Sequence, residues 1–303
     1  MKFSRRNFLR TTAALTLGAG QVSGKSAALS VEKKNNDLNN PLHDLMERAR
    51  SYKKIDAHGH LVTPSPVDFI RALDRVGIER STISIPLGQS PTEFRSSNDL
   101  VLAAIKEFPN RLLGQCYVNP LYEKESLEEA KRCLGEGMIG LGELYTQVKI
   151  NDPIYASLIE LCIKERASIL VHIRADLGLI RPGHPCDAPH STSTTEDIVN
   201  ITRQYPEAIF IHGHVGGGGD WELMCKILRD APKVYLDTSG SVSDAGMIDY
   251  AVKQIGIERL LFATDINLET GIGKIMSADL SEKDRELIFW KNFQSILDIR
   301  GIQ

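Results

Sequence analysis

Two histidines one residue apart close a short strand-like run, Lys53-Lys54-Ile55-Asp56-Ala57-His58-Gly59-His60. Residues i and i+2 of a β-strand share a face, so Asp56, His58 and His60 form a column with two imidazoles at its C-terminal tip. Such a pair is a chelate for a divalent cation, although an isolated His-x-His is more often a surface or loop pair. Four later apolar runs also end in a possible ligand. These are Glu143 after Ile139-Gly140-Leu141-Gly142, His172 after Ile169-Leu170-Val171, His214 after Ile209-Phe210-Ile211-His212-Gly213, and Asp265 after Leu260-Leu261-Phe262-Ala263-Thr264. Recurrence of His, Glu and Asp at strand ends implies one shared site.

Neutral imidazoles with a carboxylate suit Zn2+, the default expectation, and equally Mn2+, Fe2+ or Co2+. An ion with one open position lowers the pKa of its bound water from about 15.7 towards 7. Asp265 beside that water can take its proton and return it to a leaving group, and His214 can orient the water or stabilise charge on a carbonyl oxygen. Glu143 has three readings: ligand of a second metal, acid/base, or a purely structural cap. No lysine stands at the end of its run, which disfavours a carbamate-bridged metal pair. Arg174, on the same face as His172 and one step beyond it, is either a clamp for a substrate carboxylate or a rim salt bridge. The stretch from Ala175 to Ser193 is long for a connection and, with Pro182, Gly183, Pro185 and Pro189, reads as a shaped lid or specificity loop. A further metal cluster from His184, Cys186 and His190 is the weaker reading of that loop. His212 fits a supporting or core histidine better than a ligand, and Trp221 either lines the pocket or starts a helix in solvent.

The elements that must position these groups alternate regularly. Strand candidates are 54–60, 81–87, 112–118, 139–145, 168–174, 208–214, 233–238 and 259–265. Helix candidates fall near 66–78, 98–108, 124–135, 153–165, 195–205, 220–230 and 244–256, and a closing helix spans about 282–298. In the second helix Leu100, Ala103, Ala104 and Phe108 fall at helical spacing while Asp99, Lys106 and Glu107 look outward. Eight βα units over about 250 residues match a single α/β (β/α)8 TIM barrel, whose strand C-termini converge on one mouth. An open doubly wound sheet would call for a Gly-x-Gly-x-x-Gly after the first strand, and none is there.

Ser4-Arg5-Arg6-Asn7-Phe8-Leu9-Arg10 precedes a mildly apolar stretch, Thr11 to Val22, and small residues Ser26, Ala27 and Ala28. This pattern predicts a twin-arginine signal peptide over 1–28, recognised by the export machinery and delivering a folded protein to the periplasm or beyond. A polar linker and extension over 29–50 then leads to a barrel over 51–303. Removing 1–28 leaves 31 basic against 39 acidic residues, a net charge near −8. With no Lys/Arg block beyond the signal, nucleic acid and anionic membranes are disfavoured as partners, and a small molecule is favoured. No run reaches the roughly 20 apolar residues needed to span a bilayer. Cys116, Cys133, Cys162, Cys186 and Cys225 are odd in number and scattered, as expected of packed thiols rather than a disulfide framework. A homo-oligomer is compatible with all of this.

His-x-His on strand 1, a His closing strand 5, His214-Val215-Gly216-Gly217 after strand 6 and Thr264-Asp265 on strand 8 resemble the amidohydrolase superfamily. The likeness is specifically to the branch that includes carboxymuconate-semialdehyde-type decarboxylases, and it covers nearly everything from Ile55 to Gln303. The resemblance implies His58, His60, His172 and Asp265 as metal ligands and His214 as the water-activating or supporting residue. The family's usual Ser-Asp-aromatic-Pro on strand 8 is here Thr264-Asp265-Ile266-Asn267. The expectation is an exported metal-dependent hydrolase of a lactone, ester or amide. The rival on the same scaffold is a non-oxidative decarboxylase, and a third reading is a non-catalytic exported binding protein. Retention of the full ligand set disfavours the third, and CO2 release separates the first two.

Overall fold

Short β-branched and leucine-rich runs, each followed by an amphipathic helix, wind into eight parallel strands that lie side by side in chain order. They are β1 (Ile55–Asp56), β2 (Arg80–Ile83), β3 (Leu112–Cys116), β4 (Gly140–Leu144), β5 (Ser168–His172), β6 (Ile209–Gly213), β7 (Val234–Asp237) and β8 (Leu260–Leu261). This computed structural model describes residues 41–63, 65–146, 148–173, 193–215 and 220–302. Ala57 N donates to Phe262 O at 2.9 Å and Asp265 N to His58 O at 2.8 Å, so the segment after β8 returns to β1 and a (β/α)8 TIM barrel results.

Helices α1 (Pro41–Ser51), α2 (Pro66–Val76), α3 (Pro91–Glu107), α4 (Glu123–Gly135), α5 (Ala156–Glu165), α6 (Thr195–Gln204), α7 (Trp221–Arg229) and α8 (Met247–Ile255) accompany the strands. After β8 come α9 (Leu268–Ser277), α10 (Glu282–Glu286), a π-helical turn (Leu287–Lys291) and α11 (Asn292–Arg300). Two apolar layers result. Ile55, Ala57, Leu113, Ile139, Leu170, Ile211 and Leu261 pack together, with Phe293, Ile296 and Leu297 of α11 closing that cluster. The apolar helix faces, among them Leu73, Val101 and Leu158, form the larger cluster around the strands. Cys116, Cys133, Cys162 and Cys225 are buried free thiols, and among the described residues no helix is long and apolar enough to cross a membrane.

Three departures from the expected elements have local causes. The strand expected over 54–60 stops at Asp56, because Asp56 Oδ1 accepts from the backbone N of His58 at 3.1 Å and turns the chain. Beyond it, His60 keeps an isolated bridge to Ser84. The second helix starts at Pro91 instead of residue 98, under a capping box formed by Ser90 and Glu93. The connection after β8 holds α9, which was not anticipated, and the closing helix is interrupted by the π turn.

Asp56 ties the barrel seam. Its carboxylate accepts from His58 N, Ser81 Oγ (3.0 Å), Thr264 N (3.0 Å) and Thr264 Oγ1 (2.7 Å), linking β1 to β2 and to the segment after β8. Burial pushes its carboxyl up to about 6, against the pull of these donors. Asp56→Ala would leave two buried donors, His58 N and Thr264 Oγ1, unpaired at about 1–3 kcal/mol each, while Ser81 Oγ keeps Thr82 O and Thr264 N keeps His58 O. We expect a loss of stability of about 3 kcal/mol or more in urea unfolding, with Asp56→Asn intermediate because it keeps one acceptor oxygen.

Candidate metal centre

The residues expected to meet at the barrel mouth do meet, in one buried cluster. The Nε2 atoms of His58 and His60 stand 3.1 Å apart, and His172 Nδ1 and His214 Nε2 stand 2.9 Å apart. Two nitrogens bound to one ion at about 2.1 Å and at right angles to each other stand about 3 Å apart, which is the spacing of both pairs. Glu143 stands between them. Its Oε1 lies 2.7 Å from His172 Nδ1 and 2.9 Å from His214 Nε2, and its Oε2 lies 3.3 Å from His60 Nε2 and 3.5 Å from His58 Nε2. Asp265 completes the rim, with Oδ1 3.2 Å from His60 Nε2 and Oδ2 3.8 Å from His214 Nδ1.

Local backbone explains why these side chains can converge. Glu143 lies in a register irregularity of β4 between Leu141 and Leu144, next to Gly142. Gly142 has φ +140°, and a Cβ there would sit 2.7 Å from Leu170 Cβ, so the strand can hold this course only with glycine. His214 and Asp265 sit in left-handed backbone at φ +70° and +46°, a conformation costly for a residue with a Cβ. Hydrogen bonds hold both: His214 N donates to Asp237 Oδ1 at 3.0 Å, and Asp265 N donates to His58 O at 2.8 Å.

Supporting hydrogen bonds also set the tautomers. His58 Nδ1 donates to Asp237 Oδ2 at 2.7 Å, which leaves the Nε2 lone pair facing His60 and Glu143. Ser239 Oγ donates its proton to Asp237 Oδ1 at 2.6 Å, so it accepts from His214 Nδ1 at 2.8 Å and His214 Nε2 likewise presents a lone pair. Ser84 Oγ stands 3.1 Å from His60 Nδ1 and accepts from Glu143 N at 3.3 Å. Below this layer the buried Lys274 donates to the carbonyls of Thr238, Ser239 and Gly240 at 3.2, 3.1 and 2.7 Å, and burial lowers its ammonium to about 8.

The electrostatics call for added positive charge. Three carboxylates, Glu143, Asp237 and Asp265, share the cluster, and among the described residues no Lys or Arg bonds any of them. Burial disfavours the charged form of every group, yet the histidines hold Glu143 and Asp237 well below the ordinary carboxylate range. Burial likewise opposes protonation of His58 and His60, yet Glu143 with Asp237 raises the former well above the usual histidine value, and Asp265 with Glu143 raises the latter to about 9. Protons on these nitrogens fill the place of a cation. The donor set, all nitrogen and carboxylate oxygen with lone pairs turned inward, therefore fits a divalent metal ion.

His58, His60, Glu143, His172, His214 and Asp265 share the cluster. Arg174, His184, Cys186 and His190 lie outside the described residues, as do 1–40 with the expected signal. His212 is a core residue: its Nε2 meets Thr195 Oγ1 at 3.0 Å, and burial lowers its pKa to about 3, keeping it neutral. Trp221 is half-buried and donates to Asp244 Oδ2 at 2.8 Å. Asp237, Ser239 and Ser84 were not anticipated. Val234-Tyr235-Leu236-Asp237 also closes a strand run with a carboxylate, and the strand-end argument extended to β7 would have found it.

Asp237→Asn replaces one of the two oxygens with a donor, so that His58 Nδ1 and the donors on Oδ1 can no longer all be met, and should weaken metal affinity about 10–100-fold, with the fold intact by circular dichroism. His58→Ala combined with His60→Ala should abolish binding at their pair, read as metal content by elemental analysis. Undiminished metal in the double variant would refute the assigned site.

Residues 55–295 match the amidohydrolase family model. No protein of curated function matches the chain. Among solved structures it is similar to 2,6-dihydroxybenzoate decarboxylase from Rhizobium, with 17% identity, TM-score 0.63, and 82% of this chain and 100% of that chain covered. It is also similar to 5-carboxyvanillate decarboxylase from Sphingomonas paucimobilis, with 15% identity, TM-score 0.64 and 84% and 100% covered. A third is a dihydroxybenzoic acid decarboxylase from Polaromonas sp. JS666 with bound manganese and the inhibitor 2-nitroresorcinol, with 19% identity, TM-score 0.62 and 82% and 97% covered. At these identities the likeness is one of fold. With the family match running through all eight strands and the candidate site at their ends, this chain belongs to the amidohydrolase family and is an enzyme of that superfamily.

Proposed function

We propose that this enzyme is a divalent-metal, non-oxidative decarboxylase of a small aromatic carboxylic acid bearing an adjacent hydroxyl. This reverses the order expected from the sequence, where hydrolysis came first. The supporting observation is that three decarboxylases, one with manganese bound, share the barrel over nearly their whole length. A bound divalent cation supplies positive charge for the substrate's carboxylate and neighbouring oxygen and for the charge left as CO2 departs. His58, His60, His172 and Asp265, with Glu143, would hold it, and the identity of the ion, Zn2+ or Mn2+, is part of the proposal.

The chain's own residues then have defined tasks. Asp265 is the carboxylate nearest solvent, its side chain 29% exposed against 5% for Glu143 and 0% for Asp237. Burial would raise its pKa, but His60 and the other histidines lower it, so it is ionised at rest and takes up a proton from water at the mouth. As the C–C bond breaks the electron pair stays on the ring carbon and CO2 departs, and Asp265 delivers to that carbon the proton it took from solvent, so that the net reaction consumes one proton and releases CO2. His214, fixed through Ser239, faces the same space and can donate to or orient the substrate. Arg174 remains the proposed clamp for a substrate carboxylate.

Hydrolysis is the second reading, and one observation favours it. Glu143 turns one oxygen to each histidine pair, an arrangement able to hold two cations with a water between them. Assaying the metal-loaded protein with hydroxybenzoates, lactones and esters, with CO2 monitored, separates the two. CO2 release is the expected result, and turnover of a lactone or ester without it would overturn the primary proposal. In either chemistry Asp265→Asn should preserve the fold and lower turnover about 10²-fold or more, measured under saturating substrate. Export is likewise proposed on Arg5-Arg6 and the apolar segment after them. Changing both arginines to lysine should retain the protein in the cytoplasm, and unchanged periplasmic delivery would refute that address.

A further inference from the structure

Arg80 opens β2 at the end of the barrel remote from the metal residues, which stand at the strand C-termini. It is only 8% exposed, and its Nε–H is sealed from water with no acceptor. Among the described residues no carboxylate or carbonyl bonds its guanidinium. Glu79 acts on Arg80 only through space, and the nearby carboxylates are engaged with other cations. Glu79 pairs with Lys53 at 3.4 Å, and Glu136 pairs with Arg132 at 3.2 Å. Arg111 bonds Asp74 at 2.6 Å, and Arg300 donates to the carbonyls of Leu134, Met138 and Glu165. A guanidinium nine-tenths buried, with its Nε–H sealed from water and without an acceptor, is costly unless something else satisfies it.

Arg80 also lines a cleft of ≈690 Å3 between the starts of the strands and α3, a size within the about 300–1,000 Å3 of small-molecule sites. The rest of the wall is largely apolar, with Leu102, Ile105, Leu112, Leu113, Ile139 and Ile302 prominent. Lys106 and Glu136 supply its other charges. One unpaired planar cation beside an apolar wall is complementary to a ligand with one oxyanion head and a hydrocarbon body. We propose that this cleft is a second binding site, separate from the metal centre, for a small organic monocarboxylate whose carboxylate pairs with Arg80. Carboxylate suits the wall better than free phosphate, which brings two charges and no apolar surface. The inference is independent of the reaction assigned to the metal centre.

Isothermal titration of the full chain with octanoate tests it, with inorganic phosphate as the second probe and chelator-treated protein as a control for binding at the metal site. Octanoate should bind the untreated and chelated proteins alike, with affinity reduced at least about tenfold in Arg80→Met and largely kept in Arg80→Lys. Because Arg80→Met removes an unpaired buried charge, its melting temperature should equal or exceed that of the parent. Ala103→Trp, at an exposed position of α3 on the cleft wall, serves as an independent block and should also abolish binding. Octanoate affinity that survives both substitutions, that disappears on chelation, or that is absent while phosphate binds would overturn the proposal.

Discussion

Crowding of three carboxylates and four imidazoles into one buried cluster is the constraint around which the rest of the barrel is arranged. A single ion moved out of water costs several kcal/mol even after relaxation, and here Glu143, Asp237 and Asp265 are brought within reach of the same histidines. Only positive charge on the nitrogens, as protons or as a metal ion, makes this arrangement tolerable. Because protons and cation compete for the same lone pairs, metal affinity and acidity are coupled in this site. The scaffold's part is to stop the ligands from turning away. Asp237 holds His58, Ser239 holds His214, Ser84 approaches His60, and Lys274 fixes the backbone carrying Ser239.

That rigidity extends into the backbone. The chain leaves β6 and β8 through left-handed residues, His214, Asp265 and Ile266, at positions that ordinarily favour glycine or asparagine. Each bend occurs where a strand end must be aimed inward, and each is held by a bond to a neighbouring strand segment. The Asp237 carboxylate receives His214 N and the His58 carbonyl receives Asp265 N. Strain of this sort persists only where surrounding structure over-determines it, and the same bonds that hold it also orient the ligands.

Much of this was legible in the sequence, because strand-end positions are one-dimensional information in a barrel: a polar residue closing an apolar run of a βα unit falls at the mouth. His58, His60, Glu143, His172, His214 and Asp265 came together for that reason. What was not legible depends on side chains bending local rules. Period-two alternation predicts one column for Asp56, His58 and His60, but the Asp56 carboxylate captures the His58 amide, ends β1, and serves the barrel seam instead of the metal site. The division of Glu143 between two histidine pairs is a matter of which carboxylate oxygen faces which strand, and spacing carries no trace of it. The Arg80 environment was equally invisible, since a lone arginine at a strand start reads as an ordinary surface charge.

The resemblance to decarboxylases and the geometry of a carboxylate between two metal-binding pairs pull towards different chemistries, and the difference lies outside the metal ligands. Both reactions use a cation and a proton carrier at the mouth, and Asp265 can serve in either. Beside Asp265, Ile266 is 49% exposed at the rim, and Asn267 Nδ2 donates back to the Asp265 carbonyl at 3.1 Å. This is the segment where the chain departs from the family's Ser-Asp-aromatic-Pro. An aromatic ring there would offer a flat face to a planar substrate, whereas Ile266 offers a branched aliphatic edge. In the proposed chemistry the rim of histidines and carboxylates sets which class of bond can be activated, and the residues just past Asp265 shape which molecule presents that bond.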